Sequence, residues 1–312
     1  MIITVTFNPA LDKSISIQAL VPERKMRCSA AVPEPGGGGI NVARALTSLG
    51  AKATAFFWGG GCVGKEIDRL LANEGVAAVM LPAKAESREN ITVYDSTAAC
   101  QYRFVMPGPD ISAEELDNGL KKIKNTGPAD YLVASGSLSP GMPGDTFARL
   151  GIIAAELGAK YIVDTSGDAL VQAVKVGTYL IKPSLNELAL LAGRKACDIN
   201  DVVSVARSII QGGRCENVVV SLGAAGAILI TREASVTISA PAVPVKSTVG
   251  AGDSMVAGIV FALLRGQDLA DATRFGVACG TAATLNPGTA LCKLSDVQRI
   301  YKDLSENIKA EM

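Results

Sequence analysis

The chain has 312 residues, enough to bury a substantial core as one large domain or one domain with a small appendage. Its 30 lysine and arginine residues equal its 30 acidic residues, so overall charge favours neither nucleic acid nor an anionic membrane as a partner. The chain contains no histidine, which excludes Ser-His-Asp and Cys-His catalysis, histidine metal ligands and histidine pH switches. Acid–base chemistry must therefore come from Asp, Glu, Lys, Tyr or Cys.

The cysteines are scattered and include no C-x-x-C pair, which argues against a disulfide framework and against a zinc site. They are Cys28, Cys62, Cys100, Cys197, Cys215, Cys279 and Cys292. No apolar run reaches the roughly 18 residues of a membrane span, and the first residues form a strand pattern rather than a charged leader. We therefore expect a cytoplasmic protein with reduced thiols and no membrane association.

Short β-branched runs alternate with longer helical patterns along most of the chain, which is typical of an α/β fold with a largely parallel sheet. The predicted strands span Ile2–Phe7, Ala53–Phe57, Ala77–Leu81, Tyr131–Ala134, Tyr161–Asp164, Tyr179–Lys182 and Val218–Ser221. Helical periodicity is clearest over Ile40–Leu49, Lys65–Asn73, Gly144–Leu157, Val202–Gln211 and Met255–Leu264. These elements predict one domain over residues 1–312.

Two stretches break this alternation and predict a small β-sheet that projects from the main domain as a lid. They cover residues 13–33 and 88–106. The first holds the alternating segment Ser14–Ile17, and the second pairs Ile91–Tyr94 with Gln101–Val105 as a hairpin would. A small sheet with one apolar face is only marginally stable alone, so we expect it to pack on the main domain or on a second copy.

Polar and glycine-rich segments near the start of the chain are candidates for binding a polyhydroxy ligand. Asp12 follows a strand and either accepts sugar hydroxyls or is an ordinary turn aspartate. The four glycines of Gly36–Gly39 lead directly into a helix; ordering them sacrifices much chain entropy, which a close approach of backbone to ligand would justify. Asn41, in the first turn, binds such a ligand or acts as a local cap.

The segment Gly59–Gly64 also fits phosphate-binding motifs. It reads G-x-G-x-x-G between a strand and a helix, as in a dinucleotide-binding fold, and with Lys65 it fits most of a P-loop. Glu66 stands where a P-loop needs Ser or Thr, and Glu86, the acidic residue wanted further on, follows only after a loop. An NAD(P)-dependent oxidoreductase is therefore an alternative that depends on this motif alone.

The most informative segment is Ser247–Ser254, which sets two glycines and a carboxylate at the start of an apolar helix. A glycine-rich turn entering a helix leaves backbone N–H groups unpaired, and the helix dipole adds positive charge, so phosphate fits there. A carboxylate at Asp253 would compete with that anion unless it has its own task, such as taking a proton from an attacking hydroxyl. It could equally be a helix cap. Amides and base together favour phosphoryl transfer.

With these segments in view, the chain resembles the PfkB, or ribokinase-like, family of carbohydrate kinases over essentially its whole length. The most specific match is Gly250–Ser254 with Thr248 and Val249 before it, and further matches are Glu34–Arg44, Gln101–Gly108, Ser135–Leu138 and Thr284–Thr289. The resemblance implies a three-layer α/β sandwich with a β lid. It also implies an ATP- and Mg²⁺-dependent kinase that phosphorylates the C1 hydroxyl of fructose 6-phosphate to give fructose 1,6-bisphosphate, a step of glycolysis.

The acceptor is the part of this interpretation with open alternatives. The glycine run lacks the lysine that the 1-phosphofructokinase and tagatose-6-phosphate kinase branches usually carry, which favours fructose 6-phosphate. Those two activities stay as alternatives of the same chemistry. A non-enzymatic sugar-phosphate sensor would be expected to lose the base, and Asp253 is present.

The resemblance assigns roles to residues at matching positions. Asp253 would be the general base, and the amides of Gly250, Ala251 and Gly252 would hold the transferred phosphoryl group. The sugar hydroxyls would bind Asp12, Gly37, Gly38, Gly39 and Asn41. The 6-phosphate would bind Lys25, Arg27, Arg88 and Ser137, with the cations carried on the lid. The nucleotide would bind Lys182, Ser184, Glu187, Ser221, Gly223, Gly226, Thr248 and Asn286.

Two metal ions and a subunit contact are also implied by the resemblance. Glu187 would order Mg²⁺ through water, but Ser184 stands where relatives carry Asn, and its hydroxyl reaches less far than an amide. Potassium would bind through oxygens of Ser247, Val249, Ala283, Asn286 and Gly288. Relatives pair through the β lid as homodimers, and an apolar sheet face that would otherwise stay wet favours the same here.

Overall fold

The computed structural model describes residues 1–195 and 198–311, with side chains described as far as residue 306; Cys197 lies outside the described residues. The strands are β1 Ile2–Thr6, β2 Ala10–Ile17, β3 Val32–Gly36, β4 Ala53–Gly59, β5 Ala77–Pro82, β6 Arg88–Asp95, β7 Cys100–Phe104, β8 Tyr131–Ser135, β9 Lys160–Asp164, β10 Leu180–Ile181, β11 Asn217–Ser221, β12 Ala227–Ile230 and β13 Ser235–Ile238. The helices are α1 Gly38–Ser48, α2 Gly61–Asn73, α3 Ala113–Lys124, α4 Thr146–Glu156, α5 Gly167–Ala173, α6 Leu185–Leu191, α7 Val202–Gln211, α8 Ala251–Leu264, α9 Leu269–Thr284 and α10 Leu294–Glu311.

The strands form two sheets, a large one and a small one. The large sheet has nine strands in the order β13-β12-β11-β10-β9-β8-β1-β4-β5. Its members from β11 to β5 run parallel, and β12 and β13 add an antiparallel edge. This arrangement confirms the α/β fold class. Parallel strands that are covered by helices on both faces are continuously apolar, which is the pattern seen in the sequence.

Two hydrophobic clusters cover the two faces of the large sheet and complete three layers. One contains residues of α1, α2, α8, α9 and α10, and the other contains residues of α3 to α7. Strand β1 shows how one strand serves both layers: Ile2 belongs to the first cluster, whereas Ile3 and Val5 belong to the second. Among the described residues, no helix combines the length and the apolar character needed to cross a membrane.

The order of strands reverses next to β1. The chain builds outward from β1 through β4 to β5, then returns to the other side and builds through β8, β9 and β10 to β11. In an open parallel sheet, ligands bind in the crevice outside the carboxyl ends of the strands at such a switch point. The carboxyl ends of β1, β8, β9 and β10 therefore position the site.

The small sheet has the order β3-β2-β6-β7, and it differs in extent from the expected lid. Strand β2 begins at Ala10 instead of residue 13, and residues 18–31 form a loop rather than strand. Strand β3 reaches into the glycine run, because Gly36 pairs with Ala10. The predicted hairpin is present, with Ile91 opposite Phe104.

Helices α8 and α9 lie against each other along a seam of small residues. A methyl group at Gly258 would lie 2.6 Å from Cys279 Sγ and 2.9 Å from Gly276 Cα. A methyl group at Gly280 would lie 3.1 Å from the Ala251 carbonyl oxygen. The two helix backbones are therefore in direct contact, and this contact fixes where α8 begins relative to α9.

Candidate active site

Asp253 lies in the first turn of α8 and does not cap it. The N-cap is Gly250, at φ 73, without a side-chain cap hydrogen bond. The Asp253 carboxylate instead accepts hydrogen bonds from Asn41 Nδ2 at 2.9 Å and from Ser135 Oγ at 3.2 Å. Helix α1 and the end of β8 thus hold the carboxylate across the switch point. The capping alternative does not apply.

The surroundings of Asp253 prepare it to take a proton near neutral pH. Burial, and after it the charge of Asp164, raise the pKa of Asp253 to about 6, against the opposing effects of Asn41, Lys182 and Ser135. A base with a pKa close to the working pH combines an ionised form with a useful proton affinity. The carboxylate is therefore a competent general base.

The start of α8 presents backbone amides beside a buried cation. The Ala251 amide, expected to hold the phosphoryl group, instead donates to the Thr248 carbonyl at 3.4 Å, while those of Gly252 and Asp253 have no acceptor within the described part of the chain. A methyl group at Gly252 would lie 3.4 Å from Lys182 Nζ, so the lysine lies beside this turn of α8. An anion bound at this helix start would be near two unpaired amides and a positive charge.

Lys182 follows β10 and stays charged in this position. Its Nζ lies 3.2 Å from Asp164 Oδ1, at the end of β9. Burial alone would lower the pKa of Lys182, but the carboxylates of Asp164, Asp253 and Glu187 outweigh burial and raise it. Sequence reasoning did not include Asp164 or Ser135 among the site residues. The signal was available, because both end parallel strands.

An apolar cleft of about 530 Å³ opens beside Lys182 and the start of α8. Five residues expected to bind nucleotide line it: Lys182, Ser221, Gly223, Gly226 and Thr248. Its other walls come from α8, from α9 and from the segment that follows β13. Asn286, expected in the same group, instead holds its loop closed by donating from Nδ2 to the Ala282 and Leu291 carbonyls.

Ser184 and Glu187 form a capping box at the start of α6, which sequence reasoning missed. The Glu187 carboxylate accepts from the Ser184 amide at 2.7 Å, and Ser184 Oγ accepts from the Glu187 amide at 3.4 Å. The S-x-x-E pattern before an apolar run is a known signature of this arrangement. Ser184 is therefore engaged locally, while Glu187 also lines a polar pocket beside Asp253.

That polar pocket measures about 270 Å³ and lies between Asp253, Asp164 and Glu187. Among the residues that the structure describes, no group of three metal-binding side chains is close enough to hold an ion directly. Mg²⁺ commonly keeps several waters and binds one or two carboxylates together with phosphate oxygens. The carboxylates of Asp164 and Glu187 fit such a water-mediated site.

Asp12 lies at the base of the lid, facing the glycine run. Its Oδ1 accepts from Asn90 Nδ2 at 2.8 Å. Burial raises the pKa of Asp12, with Asn90, Arg88 and Arg103 acting in the opposite direction. A methyl group at Gly36 would lie 2.0 Å from Asp12 Oδ2, so only glycine leaves room for this carboxylate.

The remaining glycines of the run are required by packing. A methyl group at Gly38 would lie 2.2 Å from Ser135 Oγ, and one at Gly39 would lie 2.3 Å from the Val5 carbonyl. Gly37 has φ 112, and its added methyl would meet Thr6. The start of α1 therefore contacts the ends of β1 and β8, which brings Asn41 to Asp253. Asn41 Oδ1 is buried and has no hydrogen-bond partner among the described residues.

The cations expected for the 6-phosphate lie in different settings. Arg88 begins β6 and donates to the Asn8 and Met106 carbonyls at 3.0 Å, and burial lowers its pKa. Asn8 Nδ2 in turn donates to Ser137 Oγ at 3.2 Å, so Ser137 is near Arg88. Lys25 and Arg27, expected on lid strands, lie on the exposed loop between β2 and β3.

The residues expected around potassium meet in one loop region beside the start of α8. Ser247 Oγ donates to the Gly288 carbonyl at 2.7 Å and accepts from the Val249 amide at 3.2 Å. The Asn286 amide donates to the Ala283 carbonyl at 3.1 Å. These oxygens fit a weakly bound monovalent cation, because each carbonyl keeps a second lone pair.

The rival motif Gly59–Gly64 does not offer an anion site. The Val63 amide donates to Glu86 Oε1 at 2.6 Å, and the Gly60 amide donates to Ser87 Oγ at 3.0 Å. A carboxylate of the chain itself therefore occupies the place of a pyrophosphate at the start of α2. The NAD(P)-dependent oxidoreductase alternative, which depended on this motif, is wrong.

The chain is similar to known proteins over nearly its whole length. The family model described as pfkB family carbohydrate kinase matches residues 5–296. The chain is 42% identical over 305 residues to ATP-dependent 6-phosphofructokinase isozyme 2 of Escherichia coli, covering 97% of this chain and 99% of the relative. It is also 42% identical to the protein of that name from Mycobacterium tuberculosis, covering 98% of this chain and 90% of the relative.

Solved structures give the same result. The crystal structure of phosphofructokinase-2 from Escherichia coli in complex with potassium superposes with a TM-score of 0.94 at 42% identity, covering 97% of this chain and 99% of that one. The structure of that enzyme with fructose-6-phosphate gives 0.92 at 41% identity, with the same coverage. Arabidopsis thaliana ribokinase gives 0.72 at 18% identity over 96% of this chain and 98% of that one, a likeness of fold alone.

Proposed function

Because the chain belongs to the pfkB family of carbohydrate kinases, we propose that it is an ATP-dependent 6-phosphofructokinase. It transfers the γ-phosphoryl group of ATP to the C1 hydroxyl of fructose 6-phosphate. The relatives that carry this activity in their names are 42% identical over nearly the full chain. In contrast, relatives named 1-phosphofructokinase are 31% identical in Borreliella burgdorferi and 35% identical in Haloferax volcanii.

One observation carries the proposal: Asp253, with a pKa of about 6, is held between the lid side and the nucleotide side of the cleft. Asn41, in the first turn of α1, donates to its carboxylate, and Lys182, which follows β10, lies beside the start of α8. An alcohol presented by the lid would meet the base directly. A phosphoryl group presented by ATP would meet the amides of Gly252 and Asp253 in line with that alcohol.

The chemistry follows from these positions. Asp253 accepts the proton of the C1 hydroxyl while the hydroxyl oxygen bonds to the γ-phosphorus. The bond between the γ-phosphorus and the bridging oxygen breaks, and that oxygen leaves with ADP. Lys182 and the helix amides stabilise the negative charge spread over the transferring group, which supplies most of the acceleration in this class of reaction. Magnesium, when bound through water near Glu187 and Asp164, would neutralise charge on the phosphates.

The acceptor is recognised by the base of the lid. Asp12, the glycine run and the free Oδ1 of Asn41 form a polar surface suited to sugar hydroxyls. The 6-phosphate approaches Arg88 and Ser137, and the exposed loop with Lys25 and Arg27 closes over it. Two of the five N–H groups of Arg88 remain for phosphate after its three bonds to backbone carbonyls.

Assembly and ion dependence complete the proposal. The lid exposes apolar side chains, which are Val32, Tyr94, Tyr102, Phe104, Val105 and Met106. A second copy would cover them, so we expect a homodimer in the cytoplasm that dissociates when Phe104→Asp is introduced, as measured by analytical ultracentrifugation. Activity should also depend on potassium, because Ser247 and Gly288 form the predicted site beside the anion cradle.

The deciding experiment is a panel of steady-state rates with ATP and Mg²⁺. Fructose 6-phosphate should have the highest kcat/KM, above tagatose 6-phosphate, fructose 1-phosphate and free fructose. Asp253→Asn is the control for turnover by this site. A higher kcat/KM for another sugar phosphate would identify that compound as the acceptor instead. Full activity of Asp253→Asn would exclude Asp253 as the general base.

A further inference from the structure

Glu34 lies where the lid joins the body of the protein. It belongs to β3, pairs in register with Asp12 of β2, and is separated from the glycine run by Pro35 alone. Its carboxylate accepts a hydrogen bond from Thr289 Oγ1 and lies 3.5 Å from an amino nitrogen of Arg44. The strand that pairs with Asp12 is thus bound to a residue of the loop that follows α9.

The loop that contains Thr289 is also bound to the segment that leads into α8. The Gly288 carbonyl accepts from Ser247 Oγ at 2.7 Å, and Ser247 opens the segment that leads into α8. Helix α9, which precedes the loop, lines the nucleotide cleft through Thr281 and Thr284. A continuous path therefore runs from the sugar side through Glu34 and Thr289 to the nucleotide side.

The contact is enclosed and held in one geometry. The Glu34 side chain is 18% exposed, the Arg44 side chain is 7% exposed, and Thr289 is 3% exposed. Arg44 is itself fixed by Glu74 at 2.7 Å and by the Pro35 carbonyl at 2.9 Å. Because an enclosed carboxylate is poorly compensated if it loses its donors, Glu34 follows Thr289 rather than moving independently.

From this path we propose that Glu34 and Thr289 are positioning residues that couple the binding of the sugar phosphate to the binding of the nucleotide. Occupation of the nucleotide cleft fixes the loop at Thr289, and Thr289 holds Glu34 and the neighbouring Asp12 in the arrangement that grips the sugar. By thermodynamic linkage, the bound sugar phosphate must increase the affinity for the nucleotide by the same factor by which the nucleotide increases the affinity for the sugar phosphate. This inference rests on the proposed function, since it takes both ligands from it.

The test measures the dissociation constant of fructose 6-phosphate by calorimetry, with and without a saturating non-hydrolysable ATP analogue and Mg²⁺. In the wild-type chain the analogue should lower the dissociation constant of fructose 6-phosphate by about 5-fold or more, which is the lower end of typical allosteric coupling. Thr289→Val removes the hydroxyl at nearly constant volume and should bring that factor close to one. Thr289→Ser restores the donor and should restore the factor.

Glu34→Gln supplies a second probe, and the double variant with Thr289→Val should show no loss beyond the larger single effect, because both remove one contact. A variant that lowers the melting temperature but keeps the coupling factor would show a merely structural contact and overturn the inference. Independent binding of the two ligands to the wild-type chain would overturn it too. Binding of neither ligand to the wild-type chain would instead contradict the proposed function.

Discussion

Helices α2 and α8 both begin in glycine-rich turns that fit phosphate-binding motifs, but their backbone amides are engaged differently. At the start of α2, Glu86 accepts a hydrogen bond from the Val63 amide, and a methyl group at Gly61 would lie 2.0 Å from its Oε2. At the start of α8, the carboxylate of Asp253 turns away to Asn41 and Ser135. The amides of Gly252 and Asp253 have no acceptor in the described part of the chain, and Lys182 Nζ lies close to Gly252.

The difference teaches that a glycine-rich helix start is a phosphate site only when nothing else in the chain satisfies it. Both segments carry an acidic residue nearby in sequence or space. The two helix starts differ in where the carboxylate points. Asp253 of α8 is held away from the amides by the distant residue Asn41, whereas Glu86, from the loop after β5, points at the start of α2. The comparison can be broken or sharpened by experiment.

The largest effect should come from neutralising the two carboxylates. Asp253→Asn removes the general base and should lower kcat by about 100- to 10,000-fold, the usual contribution of such a base. Glu86→Gln should leave kcat unchanged and lower the melting temperature by a few degrees, because it weakens a helix cap. Steady-state kinetics and thermal melts of both variants check this. A loss of rate in Glu86→Gln would mean that the start of α2 takes part in turnover.

The next effect comes from adding the same methyl group at each helix start. Gly252→Ala meets Lys182 Nζ at an ordinary contact distance of 3.4 Å, so it should fold normally but displace the phosphoryl group and lower kcat/KM by up to about 100-fold. Gly61→Ala places a side chain at φ 64 against Glu86 and should destabilise the fold by about 1–2 kcal/mol or more while kcat persists. Reversal of these two outcomes would contradict the assignment of sites.

The pH dependence should be a smaller effect that reports on Asp253 itself. A base works only when ionised, so kcat/KM should fall as pH drops through about 6, the pKa of Asp253. Asn41→Leu removes a hydrogen bond that lowers this pKa, so the acid limb should move to higher pH. Ser135→Ala should move it less. The phosphate of the substrate titrates nearby, but it is common to all variants, so only their difference is interpreted. Coincident acid limbs in all three would exclude Asp253 as the titrating group.

The smallest effect concerns Ser184 and magnesium. Ser184→Asn keeps a good N-cap for α6 but adds reach and a donor pair, so the Mg²⁺ concentration for half-maximal rate should fall by a few fold. Ser112 forms the same capping box with Glu115 at the start of α3 and provides the matched control, since Ser112→Asn should change nothing. No change or a rise in the Mg²⁺ requirement for Ser184→Asn would place Ser184 outside the metal network.

The layered architecture was predictable because apolar runs and helical periodicity directly record burial. Strand β4 begins at the expected Ala53, and α7 spans the expected Val202–Gln211. Helices α1 and α2 begin earlier than expected, at Gly38 and Gly61, because glycine lacks the side chain that shows periodicity.

The candidate site was predictable where a motif is local, as in Gly250–Asp253. The contacts of Asp253 were not, because Asn41 and Ser135 are distant in sequence and meet it only through the order of the strands. The glycine run was interpreted as a ligand contact, and its structural reason, the close approach of α1 to Val5 and Ser135, requires the fold. Local motifs thus identify chemistry, while topology decides which groups share it.

The seam between α8 and α9 has a consequence for how the enzyme tolerates change. Gly258, Gly276 and Cys279 are buried and leave no space for larger side chains, and none of them lines the cleft beside Lys182. Thickening this seam would slide the base and its amides along the axis of the helix. Larger side chains in this seam should therefore inactivate the protein while it still folds. Inactivating substitutions are thus expected in the hydrophobic interior as well as around the cleft.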